Sequence, residues 1–138
     1  MNLKVNELKQ LLREILMKHD DIVFAYLFGS FATGRIHKFS DIDIAVFLKE
    51  YNIKIYKKIF SDLAINLPTE IDLIILNKAP PLLRHKVIKE GFLLFSRDEN
   101  ARIRFIEKTL IQALDFRETY NWLIKAKGDM LRAGRQNS

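Results

Sequence analysis

Gly29-Ser30-Phe31-Ala32-Thr33-Gly34-Arg35-Ile36-His37-Lys38-Phe39-Ser40-Asp41-Ile42-Asp43-Ile44-Ala45-Val46 is the stretch on which the fold turns. From Ile42 to Leu48 the residues read as a strand. Alternate side chains of a strand share a face, so Ile42, Ile44 and Val46 point into a core. Asp41 and Asp43 then point together the other way, with α-carbons roughly 7 Å apart. Just upstream, Ile22 to Phe28 is an unbroken apolar run ending at Gly29, which suits a strand buried on both faces. Gly29 to Ser40 is polar and too long for a tight turn, so it reads as a loop between these strands.

Outward from this pair the periodicity continues. Leu8, Leu11, Leu12, Ile15 and Leu16 recur at helical spacing and predict a helix over 3–18. Ile55, Ile59, Phe60 and Leu63 predict another over 51–67, ending before Pro68. Ile71 to Leu76 reads as a third strand. Pro80-Pro81 opens a helix over 82–90, because proline suits a first helical turn, and Gly91 ends it. Phe92 to Phe95 is a short fourth strand. Glu99 to about Ala126 is the longest helix, and 127–138 reads as a fraying tail. The order α-β-β-α-β-α-β-α, with no linker or repeat, predicts one α/β domain: a small mixed β-sheet with helices packed against it, a core of about 1–96 and a long C-terminal helix. A helix between the second and third strands predicts some parallel pairing.

Composition narrows the function. Of 138 residues, 49% are hydrophobic and 29% charged, which excludes a disordered chain. The absence of cysteine excludes a disulfide scaffold, a thiolate zinc site and a cysteine nucleophile, and fits a reducing, cytoplasmic setting. No apolar run is long enough to span a bilayer, and residues 1–18 do not read as a signal peptide. The net charge is +6. Residues 1–50 carry seven charges of each sign, so the excess lies beyond residue 50. Such a balance favours phosphate-bearing ligands or an acidic protein surface, and also fits plain solvated lysines.

Asp72 sits in the third strand, Glu70-Ile71-Asp72-Leu73-Ile74-Ile75-Leu76. If that strand pairs with Ile42–Leu48, Asp41, Asp43 and Asp72 converge. Converging carboxylates repel, and a hard divalent cation removes the repulsion. Mg²⁺ takes a few carboxylates together with substrate phosphates, and two such ions assist in-line displacement at phosphorus. Asp41, beside Ser40, also suits a turn, and Asp72 taken alone also suits an ordinary ion pair. Glycine at 29 lets a ligand approach the backbone closely, and Ser30 adds a hydroxyl donor.

Gly-Ser, ten residues, then Asp-x-Asp resembles the signature of the DNA polymerase β-like nucleotidyltransferase superfamily. Ser40-Asp41-Ile42-Asp43 with Gly34, and the block Asp72-Leu73-Ile74-Ile75-Leu76-Asn77-Lys78-Ala79-Pro80-Pro81-Leu82-Leu83-Arg84-His85-Lys86-Val87, resemble its minimal nucleotidyltransferase (MNT) antitoxins. One departure is Thr33, where many relatives carry arginine; Arg35 follows two residues later. The resemblance implies ATP as substrate and two Mg²⁺ ions held by Asp41, Asp43 and Asp72 as metal ligands and catalytic groups. It implies nucleotide contacts from Gly29, Ser30, Arg35, Ser40 and Arg84. It also implies transfer of AMP to a tyrosine of a partner, a HEPN-type ribonuclease toxin, which the modification silences. Beyond the nucleotide-binding core only one helix remains, as expected if the acceptor arrives on another macromolecule.

Two other readings stand beside it: a transferase acting on a small hydroxylated acceptor of aminoglycoside type, and an antitoxin acting by binding alone. A +6 chain suits a cationic acceptor poorly. His37 reads as an exposed loop residue and His19 as the end of the first helix. Arg84 and His85, in the first turns of a helix, suit nucleotide, partner or solvent. Phe105, Ile106, Leu110, Ala113, Leu114, Tyr120 and Leu123 form an apolar stripe suited to packing. Phe116, Tyr120 and Trp122 are left as an aromatic patch for a partner. No interleaving of aromatic and basic residues predicts direct nucleic-acid binding.

Overall fold

The computed structural model describes residues 4–29, 32 and 41–136, with side chains to residue 132. The elements follow the expected order: α1 (Val5–Met17), β1 (Ile22–Phe28), β2 (Ile42–Leu48), α2 (Ile53–Asn66), β3 (Ile71–Ile75), α3 (Pro81–Glu90), β4 (Phe92–Ser96) and α4 (Glu99–Gln136). The four strands form one sheet in the order β3-β2-β1-β4. β2 and β3 run parallel, as their helical connection requires, while β1 pairs antiparallel with both β2 and β4.

Helices cover both faces. On one, Leu8, Leu12 and Leu16 of α1 and Ile59 and Leu63 of α2 pack on Ile42, Ile44, Val46 and Leu73. On the other, Val87 of α3 and Phe105 of α4 pack on Phe24, Tyr26 and Ala45. The rings of Phe24, Phe47 and Phe105 meet within 5.0–5.3 Å of one another. Each fully buried side chain of this size stabilises the fold by about 1.5–3 kcal/mol relative to exposure. Because both faces are covered, β1 is buried at all seven positions, as its unbroken apolar run requires.

Local signals set the boundaries. Asn52 Oδ1 accepts the Lys54 N–H at 2.8 Å and caps α2. Pro81 opens α3, and the Gly91 N–H closes it on Val87 O at 2.8 Å. Asp98 Oδ1 accepts the Ala101 N–H at the start of α4. The Arg97 guanidinium donates to Met17, His19 and Ile22 carbonyls and so satisfies the end of α1. The expected tail from 127 is instead helix to Gln136. Ala126, Lys127, Met130 and Leu131 are good helix formers, and Asp129 pairs with Arg132 one turn on. A single Gly128, at about 1 kcal/mol relative to alanine, does not outweigh them. Among the described residues no helix is long and apolar enough to cross a membrane.

Candidate active site

β2 brings the carboxylates into place. Ile42, Ile44 and Val46 are buried against α1 and α2, so Asp43 emerges on the face shared with α3. β3 pairs with β2 in the register Ile42↔Ile71, Asp43↔Asp72, Ile44↔Leu73. Asp43 and Asp72 are therefore side-by-side neighbours on one face of the parallel ladder. Asp41 precedes the strand and is exposed. β3 is the outer strand of the sheet, and its Asp72 is exposed to anything that approaches that edge.

Electrostatics records the convergence. The Asp43 carboxyl is held above the ordinary aspartate range, first by burial and then by the charges of Asp72 and Asp41; Lys86 on α3 pulls it back down. Lys86 is a residue that the sequence reading passed over. Nothing in its spacing marks it, and only the packing of α3 over this face brings its charge to Asp43.

The turn after β1 closes the site on the other side. Phe28 pairs with Asp43, and Gly29 follows with φ +73°. A Cβ at position 29 would overlap the Asp43 carboxylate, whose Cγ lies 3.1 Å from that point. The Ala32 N–H donates to Gly29 O at 3.1 Å. Ser30, Thr33, Gly34, Arg35, His37 and Ser40 lie outside the described residues.

Arg84 departs from the expectation of a nucleotide contact. Its Nε donates to Leu76 O and its Nη2 to Asn77 O, both at 2.8 Å, and its guanidinium lies over the Phe105 ring. That places it at the far end of β3, four residues along the strand from Asp72, or roughly 13 Å. Burial lowers its basicity. Asn77 completes this lock, since its side chain accepts the Leu48 N–H and donates to Leu48 O, both at 2.8 Å, and so extends the β2–β3 ladder by one rung. His19, at the end of α1 as expected, is buried and hydrogen-bonded to Asp62 at 2.8 Å.

Among the described residues no three histidine or acidic side chains are drawn close enough to enclose a metal ion by themselves. The donor set fits Mg²⁺: hard oxygens only, on neighbouring strands, with mutual repulsion for a cation to relieve.

A mixed sheet that sets carboxylates from parallel neighbours beside a glycine turn is a frame suited to an enzyme that handles phosphate. Residues 10–100 match the family described as polymerase beta, nucleotidyltransferase, and the chain belongs to that family. It is 32% identical over 109 residues to protein adenylyltransferase MntA of Shewanella oneidensis, covering 78% of this chain and 76% of that protein. A crystal structure of a toxin-antitoxin with AMP-PNP contains a chain 26% identical, with TM-score 0.72, covering 89% of this chain and 97% of the other. The fold is also shared, at 22% identity and TM-score 0.71, with a chain in the structure of a tri-AMPylated Shewanella oneidensis HEPN toxin in complex with its MNT antitoxin; the match covers 88% of this chain and 97% of that one.

Proposed function

We propose that the chain is an antitoxin that transfers AMP from Mg-ATP to a tyrosine hydroxyl of a partner HEPN toxin. The register Asp43↔Asp72, with Gly29 stripped of a side chain against Asp43, is the observation that carries this reading. The relatives named as protein adenylyltransferase MntA, and the toxin-antitoxin complex with an ATP analogue, support it.

In this reading Asp41, Asp43 and Asp72 hold the metal. When bound, Mg²⁺ supplies positive charge for the triphosphate and for the oxygen that attacks it. Gly29 and Ser30 lie along the triphosphate, and the charge of Lys86 faces the same region. Asp72, on the outer strand, is the carboxylate that an acceptor carried by a large protein meets first. The acceptor oxygen forms a bond to the α-phosphorus. The bond from that phosphorus to the bridging oxygen breaks, and pyrophosphate leaves with the electron pair. The hydroxyl proton passes to the Asp72 carboxylate.

The test mixes the purified chain with the protein encoded by the adjacent gene and α-labelled ATP. Label on a tyrosine of that protein, lost with Asp43→Asn, is the expected result. Tight complex formation without label would favour neutralisation by binding alone. Label on a small hydroxylated compound and none on the protein would favour the aminoglycoside-type reading.

A further inference from the structure

The outer half of α4 has lost its neighbours but kept its pattern. Phe105, Thr109 and Ala113 are its inward, buried side chains. The same face continues at helical spacing through Phe116, Tyr120, Leu123 and Met130, which are 49%, 56%, 52% and 75% exposed. Ile124 and Leu131 widen it on one flank, 52% and 59% exposed. At 100° per residue these six side chains fill an arc of about 120°. Trp122, expected beside Phe116 and Tyr120, is 66% exposed on the opposite side of the helix with the acids Asp115, Glu118 and Asp129, whereas Lys127 stands at the middle of the arc and Arg117 beside it.

Three features say what covers this face. The six large side chains are each 49% exposed or more along one face, the kind of apolar surface that marks an interaction site. The arc is too wide for pairing with one helix, which needs only a narrow two-position seam, and it matches a helix seated among several. A second copy would therefore leave Ile124 and Leu131 open. It would also bring a second +6 chain and set Lys127, in the middle of this face, against its own copy.

We propose that the outer half of α4 is the docking helix for the acceptor protein. It lies in an apolar groove between two helices of that protein, with acidic side chains on the groove's rim. The identity of the occupant rests on the reading that the acceptor is a protein. The helix enters its outer half from Phe105, which lies under Arg84 at the end of the sheet away from Asp43. None of the six side chains belongs to the carboxylate site, so loss of docking is expected to change affinity for the acceptor rather than the rate of transfer.

The test uses the full chain, the protein encoded by the adjacent gene, and the variants Leu123→Glu and Tyr120→Glu, with Leu123→Met as the conservative control. The expected result is a KM for the acceptor raised at least tenfold by either glutamate. kcat at saturation stays within twofold, Mg-ATP affinity is unchanged, and Leu123→Met behaves as wild type. An unchanged KM overturns the proposal, as does a chain that is dimeric alone by light scattering and is split by Leu123→Glu with acceptor KM intact. If the wild-type chain binds its neighbour but transfers nothing, the functional reading fails. The docking face then stands if Leu123→Glu still raises the dissociation constant of the complex tenfold, and falls if it does not.

Discussion

Gly29 and the carboxylate of Asp43 occupy adjoining space that only a residue without a side chain leaves open. The glycine has φ +73°, and a Cβ there would overlap the carboxylate. Backbone conformation and close approach thus demand glycine for two separate reasons.

Gly29→Ala should therefore act twice. The left-handed backbone costs about 1–2 kcal/mol for a residue with a Cβ, visible as a lower urea midpoint. The displaced Asp43 carboxylate should reduce AMP transfer at least a hundredfold. A variant with a lowered midpoint but wild-type transfer would show that the contact with Asp43 does not matter to the chemistry.

Asp43 should make the protein less stable at neutral pH than its amide does. Its carboxyl is held above the ordinary range by burial and by Asp72 and Asp41. A group whose folded pKa is raised contributes its stability in full below the unfolded value and loses it as pH rises through the folded one. Asp43→Asn should then raise Tm at pH 7 without metal, by a small margin because solvent screens the site. The gain should vanish below the ordinary carboxylate range, where both states are neutral. A variant less stable than wild type at pH 7 would contradict the assigned repulsion.

The same shift sets the pH dependence of binding. Protons and Mg²⁺ compete for Asp43, so Mg-ATP affinity should begin to fall at a pH above the ordinary carboxylate range. Lys86 is the charge that lowers this pKa. Lys86→Ala should move the fall to still higher pH, which calorimetry across a pH series would register. An unmoved profile would place Lys86 outside the field of the site.

Arg84→Ala tests a structural role. Removing the guanidinium takes the Arg84 donor from the carbonyl of Asn77 and leaves Leu76 O only the longer bond from the Ala79 N–H at 3.4 Å, at about 1–3 kcal/mol. Urea unfolding should show a loss in that range, while Mg-ATP affinity of the folded variant stays within twofold. A tenfold loss of affinity at unchanged stability would return Arg84 to the nucleotide.

What could be read beforehand followed physical periodicities. Asp41 and Asp43 were legible because a period of two, pinned by Ile42, Ile44 and Val46, leaves them no other face. Asp72 was legible only conditionally, since its meeting with Asp43 needs a parallel register that pairing across a helical connection decides. The Arg84 guanidinium suits a phosphate or a pair of carbonyls, and only the position of α3 gives it the carbonyls of Leu76 and Asn77. The length of α4 was underread at Gly128, where one weak residue lies among strong helix formers. Lys86 carried no local signal at all. Its role depends wholly on which helix covers which face.

The central claim is that the aspartates bind ATP through magnesium, and calorimetric titration of ATP into the full chain tests it most directly. The account predicts clear binding with Mg²⁺, at least tenfold weaker binding with chelator present, and comparable weakening by Asp43→Asn and by Asp72→Asn. Equal ATP affinity with and without magnesium, or full affinity in both aspartate variants, would contradict it.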